Sequence, residues 1–113
     1  HSKNKAEITI CAREQILSSP YGVIKVEGIN FKSMVEKPSF SQLVNAGIYV
    51  LNPSVIDLCE ENKCFDMPEL INISKKEKQK IIVYPVHEYW LDIGKPEALN
   101  KAYYDWSNKE KDK

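Results

Sequence analysis

Apolar and polar residues alternate over residues 6–12, with Ile8, Ile10 and Ala12 on one side and Glu7, Thr9 and Cys11 on the other. A period of two marks a strand with one covered face, so this stretch predicts a half-buried β-strand. Val23–Glu27 and residues 29–36 carry further strand signatures on either side of Gly28 and predict a hairpin. Ser18-Ser19-Pro20-Tyr21-Gly22 is turn chemistry, and equally a loop along which a ligand can reach main chain. Lys37-Pro38 ends the hairpin pairing, because proline brings no donor to a ladder. Residues 44–51 are apolar almost throughout apart from Asn45. Such a run suits a strand covered on both faces in the middle of an α/β sheet, with Asn45 at its entrance in need of a partner.

Helical signals follow. Asn52-Pro53 sets an N-cap before a proline at the first helical position, and Val55, Ile56, Leu58 and Cys59 supply an apolar side. Asp66 opens a second helix, where Glu69 completes a capping-box pair and Leu70, Ile71 and Ile73 form the buried stripe. Residues 80–86 predict another strand, and residues 88–92 a short extended segment. Gly94-Lys95-Pro96 opens a last helix whose Ala98, Leu99, Ala102, Tyr103 and Trp106 recur at helical spacing, predicting a face packed on the sheet. Residues 108–113 form a charged tail expected to fray. The sum is one mixed α/β domain over residues 1–113, with strands outnumbering helices. A strand so close to the first residue, and so few helices to cover the sheet, lead us to expect further structure upstream.

Charge changes the picture chiefly by exclusion. Lys+Arg and Asp+Glu both number 16, so the net charge is zero. Binding through nucleic-acid phosphates calls for a basic excess or stripe, so no nucleic-acid partner is expected. The densest basic stretch, residues 75–80, is interrupted by Glu77 and reads as a solvated face. No apolar run approaches the roughly 20 residues of a membrane span, and no signal-peptide pattern is visible, so no membrane partner is expected. Cys11, Cys59 and Cys64 are odd in number and lack the partner pair or neighbouring histidine of a zinc site. They read as free thiols, those of Cys11 and Cys59 buried, in a reducing cytoplasmic setting.

Four segments carry more polar chemistry than packing needs. In Pro20-Tyr21-Gly22-Val23, glycine lets main chain approach a ligand, though a plain turn would look the same. In Val35-Glu36-Lys37-Pro38, a carboxylate for hydroxyls stands beside an ammonium for phosphate. Strand alternation sends the two side chains to opposite faces unless Pro38 bends the chain. In Val44-Asn45-Ala46-Gly47-Ile48-Tyr49, the small residues leave room above the sheet and Tyr49 offers a hydroxyl, although packing alone also mixes large and small side chains. In Glu88-Tyr89-Trp90-Leu91-Asp92-Ile93-Gly94, a period of two puts Glu88, Trp90 and Asp92 on one face. Asp92 there is either a Mg²⁺ ligand in an open cleft or a turn-capping aspartate.

In order along the chain, Pro20-Tyr21-Gly22-Val23, Glu36-Lys37-Pro38, Asn45-Ala46-Gly47-Ile48-Tyr49, Phe65-Asp66-Met67-Pro68 and Tyr89-Trp90-Leu91-Asp92-Ile93-Gly94 resemble the second half of the sugar-1-phosphate nucleotidyltransferases. The likeness is to the branch with glucose-1-phosphate thymidylyltransferases and mannose-1-phosphate guanylyltransferases, and it runs over residues 6–104. It implies a Rossmann-like, mixed-sheet α/β fold of which this chain is the C-terminal half. It also implies substrates: a sugar 1-phosphate and a nucleoside triphosphate, converted to a nucleoside diphosphate sugar and pyrophosphate. Gly22 would offer backbone to the sugar, and Glu36 would accept from its hydroxyls. Lys37 would meet the phosphate as a catalytic cation. Asn45, Tyr49 and Trp90 would line the sugar pocket, and Asp92 would be one of two aspartates holding catalytic Mg²⁺.

The family's Gly-rich triphosphate cradle, its Pro-Lys-Pro lysine and its first metal aspartate have no counterpart among these residues. The chain is therefore expected to need that missing N-terminal half and to be inactive alone. The other reading is a non-catalytic sugar-phosphate-binding or regulatory module, with Asp92 as a cap. Sheet surface left uncovered would favour a homo-oligomer.

Overall fold

The computed structural model describes residues 1–111. Strand β1 (Ile8–Ser18) is followed by the hairpin β2 (Val23–Glu27) and β3 (Asn30–Val35), and then by β4 (Ser39–Leu51). Helices α1 (Pro53–Ile56) and α2 (Met67–Lys76), strand β5 (Ile81–Pro85) and helix α3 (Pro96–Lys111) complete the described chain. The mixed α/β class expected from the sequence is what the structure has.

The larger sheet has the order β4-β1-β5, with β4 antiparallel and β5 parallel to β1. β1 is thus the central strand. The apolar run of residues 44–51 lies instead on β4, at the sheet margin, where only Ala46 is buried. An unbroken apolar run says that a strand can be covered on both faces; which neighbours cover it is a matter of topology. The hairpin β2–β3 forms a second sheet and extends the β1–β4 ribbon, its pairing turned at Gly28 with φ +62°. Its strand residues are exposed except Ser33, which is half-buried.

The core lies at the other end of the ribbon. Ile8, Val55 and Leu70 are buried together, with Ile10, Leu51, Leu58, Cys59, Met67, Ile71 and Ile81 packed around them. Local chemistry explains each piece that meets there. Asp66 accepts from the Glu69 amide at 2.8 Å while the Glu69 carboxylate accepts from the Asp66 amide at 3.2 Å, the reciprocal pair expected for α2. Pro53 starts α1 as expected, but Asn52 makes no side-chain cap. Its amide donates to Glu7 Oε2 at 2.9 Å and its Oδ1 meets His1 Nε2 at 2.9 Å, tying α1 to the start of β1.

Helix α3 departs from expectation. Ala98, Ala102, Asp105 and Asn108 are its half-buried face, and no residue of it is buried. Leu99, Tyr103 and Trp106 form a neighbouring exposed stripe. Ala98 and Ala102 of the expected face are thus half-buried, and the side that meets another segment includes Asp105, whose contact is described below, and not Trp106. The helix also continues to Lys111, through most of the stretch expected to fray, and residues 112–113 lie outside the described residues.

The three cysteines are free, with Cys11 and Cys59 half-buried and Cys64 exposed. A large apolar surface is left open. The chain exposes 9570 Å², against about 6300 Å² for a compact monomer of 13.0 kDa. Its radius of gyration is 20.1 Å, where about 13 Å is usual for this length.

Candidate functional site

The segment Asn45–Tyr49 is a bulge. In the ladder Ile10 pairs with Tyr49 and Ala12 with Asn45, so Ala46, Gly47 and Ile48 stand opposite Cys11 alone. Extra residues on one strand bend it and re-aim its side chains, often beside functional sites. Asn45 holds the bulge from both ends. Its Oδ1 accepts from the Gly47 amide at 2.8 Å, and its Nδ2 donates to the Tyr49 hydroxyl. Gly47 has φ +73°, and a Cβ placed there would meet nothing within 4 Å. The small residue therefore serves the backbone conformation, and the space beside it is open, as expected of small residues there. The polar group at the strand's entrance has found its partners within its own strand.

The second part of the site is the segment that leaves β5. Val86 N donates to Ala12 O at 2.8 Å, the last main-chain bond of that edge, and the chain then departs from the sheet. It is held by hydrogen bonds to three elements. Arg13 Nη1, on β1, donates to Val86 O at 3.2 Å and Glu88 O at 2.7 Å. Trp90 Nε1 donates to Ala46 O at 3.0 Å, on the bulge of β4. The Tyr89 hydroxyl donates to Asp105 Oδ2 at 2.7 Å, on α3.

Lys101 donates to the same Asp105 oxygen at 2.7 Å, and Lys109 Nζ lies 4.4 Å from the Tyr89 ring centroid. The Lys101 and Tyr89 hydrogen bonds, in that order, hold the Asp105 carboxyl below the ordinary carboxylate range. The same bonds push the Tyr89 phenol and the Lys101 ammonium up, Asp105 being the first cause in both.

These attachments enclose a cleft of about 400 Å³ lined by Arg13, Glu14, Gln15, Val44, Asn45, Trp90 and Asp92. One guanidinium, two carboxylates, two amides and a half-buried indole converge there. Asp92 Oδ1 accepts from Gly94 N at 2.9 Å, a turn contact, while Oδ2 has no hydrogen-bond partner among the described residues. Glu14 Oε1 accepts from Ser41 Oγ. A carboxylate lining an open cleft, with one oxygen not engaged in a hydrogen bond among the described residues, fits the needs of Mg²⁺, which takes one or two protein carboxylates and fills its octahedron with phosphate oxygens and water. No group of three or more His, Cys, Asp or Glu able to hold a metal occurs among the described residues, so Asp92 could furnish only part of such a site.

The sequence-derived residues thus fall into two neighbourhoods. Asn45, Trp90 and Asp92 share the cleft, and Tyr49 touches Asn45 from just outside its lining. Glu88, expected beside Trp90 and Asp92, does not line it; its carboxylate accepts from His87 N at 3.1 Å. Gly22, Glu36 and Lys37 lie at the hairpin end of the ribbon. From the Ala12–Asn45 pair to the Ser18–Ser39 pair the strands run about 20 Å, at the rise of an extended chain. Gly22 and Glu36 do meet: a Cβ on Gly22 would come within 3.1 Å of Glu36 Oε2. Lys37 has φ +46° just before Pro38, the bend that alternation alone forbids. Lys5, Asn62 and Lys78 take the same conformation in ordinary turns, so it is no mark of function by itself.

Arg13, Glu14 and Gln15 escaped sequence reasoning. They continue β1 past its alternating part, and a polar run at a strand end carries no signal that it faces a cleft.

The family model described as nucleotidyl transferase matches residues 1–109. Similar chains include the mannose-1-phosphate guanyltransferase of Yarrowia lipolytica, 37% identical over 106 residues (85% of this chain, 27% of that one). The Pichia angusta protein of the same name is 38% identical over 102 residues, with 85% and 28% covered. A probable mannose-1-phosphate guanylyltransferase 3 of Arabidopsis thaliana is 37% identical over 101 residues, with 85% and 30% covered. The chain therefore spans less than a third of the length of these relatives.

Proposed function

The chain belongs to the nucleotidyl transferase family, among the sugar-1-phosphate nucleotidyltransferases, and on that premise we propose that it supplies the sugar-phosphate side of an enzyme making a nucleoside diphosphate sugar. A phosphate oxygen of the sugar 1-phosphate attacks the α-phosphorus of a nucleoside triphosphate, and pyrophosphate leaves. Mannose 1-phosphate and GTP are the proposed pair, by similarity to the fungal and plant relatives. We assign the triphosphate cradle and the second metal carboxylate to sequence outside these 113 residues, so the chain alone is expected to be inactive. Its three free thiols suit a reducing, cytoplasmic setting for this chemistry.

The observation that carries the proposal is the meeting of the Asn45 bulge with Trp90 and Asp92 in one cleft, from segments far apart in the chain. Phosphoryl transfer asks mainly for positioning and charge neutralisation. Asn45 and Tyr49 orient sugar hydroxyls, and the Trp90 indole walls the pocket. Asp92 would hold Mg²⁺, which would supply charge neutralisation for the phosphoryl oxygens. Gly22, Glu36 and Lys37 meet the sugar and its phosphate from the hairpin end, a role that requires the ribbon to bend toward the cleft when substrate binds.

The test is pyrophosphate release by the full-length protein with Mg²⁺, across sugar 1-phosphates and each nucleoside triphosphate. Mannose 1-phosphate with GTP should be the best pair, and Asp92→Asn should lower kcat by about a hundredfold or more. Absence of release with every pairing would overturn the enzymatic proposal. The turn contact from Asp92 Oδ1 to Gly94 N favours a second reading, a non-catalytic sugar-phosphate-binding module. Calorimetric binding of sugar phosphate without turnover, unchanged in Asp92→Asn, would select it.

A further inference from the structure

We infer that Arg13 is a positioning residue: it sets the segment carrying Trp90 and Asp92 against the Asn45 bulge, and thereby governs how Asp92 meets a divalent cation. Only the cation rests on the proposed function; the positioning rests on geometry. After Val86 the chain has no ladder to follow, so its path to the cleft depends on side chains. The Arg13 guanidinium reaches across from the central strand and takes the carbonyls of Val86 and Glu88, two residues apart, on one nitrogen. Trp90 can then reach Ala46 O, and two residues later Asp92 enters the cleft that Arg13 itself lines.

The remaining attachment, Tyr89 to Asp105, is solvent-exposed and leads to a helix that buries no residue. Among the described residues, Arg13 alone joins the segment to the central strand through a side-chain hydrogen bond. Lysine would replace it only in part: one ammonium can also donate to two carbonyls, but its flexible stem lacks the planar, pre-organised guanidinium that fixes the nitrogen between them. The charged groups that face the same cleft are Glu14 and Asp92, while the Glu88 carboxylate turns back to His87 N.

The experiment uses the full-length protein labelled with 5-fluorotryptophan, the Trp90 fluorine resonance being assigned with Trp90→Phe. Arg13→Gln should shift or broaden that resonance while leaving the other tryptophans unmoved, and Arg13→Lys should restore it in part. Mn²⁺, as a paramagnetic probe, should broaden the Trp90 resonance of the unmodified protein. About tenfold more Mn²⁺ should be needed in Arg13→Gln, the usual size of an outer-sphere effect on metal affinity.

An unmoved Trp90 resonance would overturn the positioning role, and a moved one with unchanged Mn²⁺ dependence would overturn the link to Asp92. Collapse of every tryptophan resonance in both variants would overturn it too, making Arg13 a residue of global folding. Because neither readout needs turnover, a protein that releases no pyrophosphate with any substrate leaves this inference standing while the enzymatic proposal fails.

Discussion

Gly28 and Gly47 offer a matched pair of perturbations. Both have left-handed backbone, φ +62° and +73°, and a Cβ at either position would meet nothing within 4 Å. Alanine therefore introduces no clash, and its cost is conformational. Setting Cβ against the carbonyl in the left-handed region costs about 1–2 kcal/mol. The lower freedom of alanine in the unfolded chain returns about 0.4–1 kcal/mol. Each variant should thus lose roughly 1 kcal/mol, and asparagine, which tolerates this region, should lose less than alanine. Their consequences for function should differ entirely. Gly47 shapes the bulge whose Ala46 carbonyl receives Trp90, whereas Gly28 turns a hairpin far from the cleft. Urea denaturation of the full-length variants measures the first quantity, and kcat/KM for pyrophosphate release the second. The expected result is equal shifts in midpoint, with catalysis impaired only in Gly47→Ala. A Gly28→Ala variant impaired as much, or a Gly47→Ala variant as stable as the original, would refute the reasoning.

Other outcomes follow from single features. Asp66→Ala removes the acceptor for the Glu69 amide and should cost about 1 kcal/mol in urea denaturation, with Glu69→Ala costing less. Asp105, with its pKa lowered, stabilises the native state above the ordinary carboxylate range, and that contribution is lost as pH falls through its depressed value. Tyr89, with its pKa raised, contributes below the ordinary phenol range and loses this as pH rises through its elevated value. Asp105→Asn should therefore bring the Tyr89 titration down toward its ordinary value, read by ultraviolet difference spectroscopy. The 113-residue chain by itself exposes about 3200 Å² beyond a compact monomer, as much as a large permanent interface covers. Light scattering should find it self-associated, and a chain monomeric at all concentrations would refute that expectation.

Part of the cleft lining could be read from the sequence because motif residues cluster. Asn45 and Tyr49 belong to one short run, as do Trp90 and Asp92, and the structure joins the two runs through the Trp90–Ala46 bond. What the motifs did not contain was the distance between neighbourhoods. Glu36 and Lys37 stand next to Pro38 in the chain, yet the length of β4 carries them away from the cleft. Nor did they contain Arg13, whose partners lie 73 and 75 residues further on.

The amino-acid sequence by itself determined the mixed α/β class, the hairpin turned at Gly28 and the capping box at Asp66 and Glu69. Each depends on backbone preferences and hydrogen bonds that act within a few residues. Only the tertiary structure decided that β1 rather than the apolar β4 is central, that α3 turns Asp105 rather than Trp106 toward its neighbours, and that Gly47 sits in a bulge with left-handed backbone. Periodicity says which residues share a face. It does not say which face another segment will meet, because that depends on register and packing between parts of the chain with no local memory of one another.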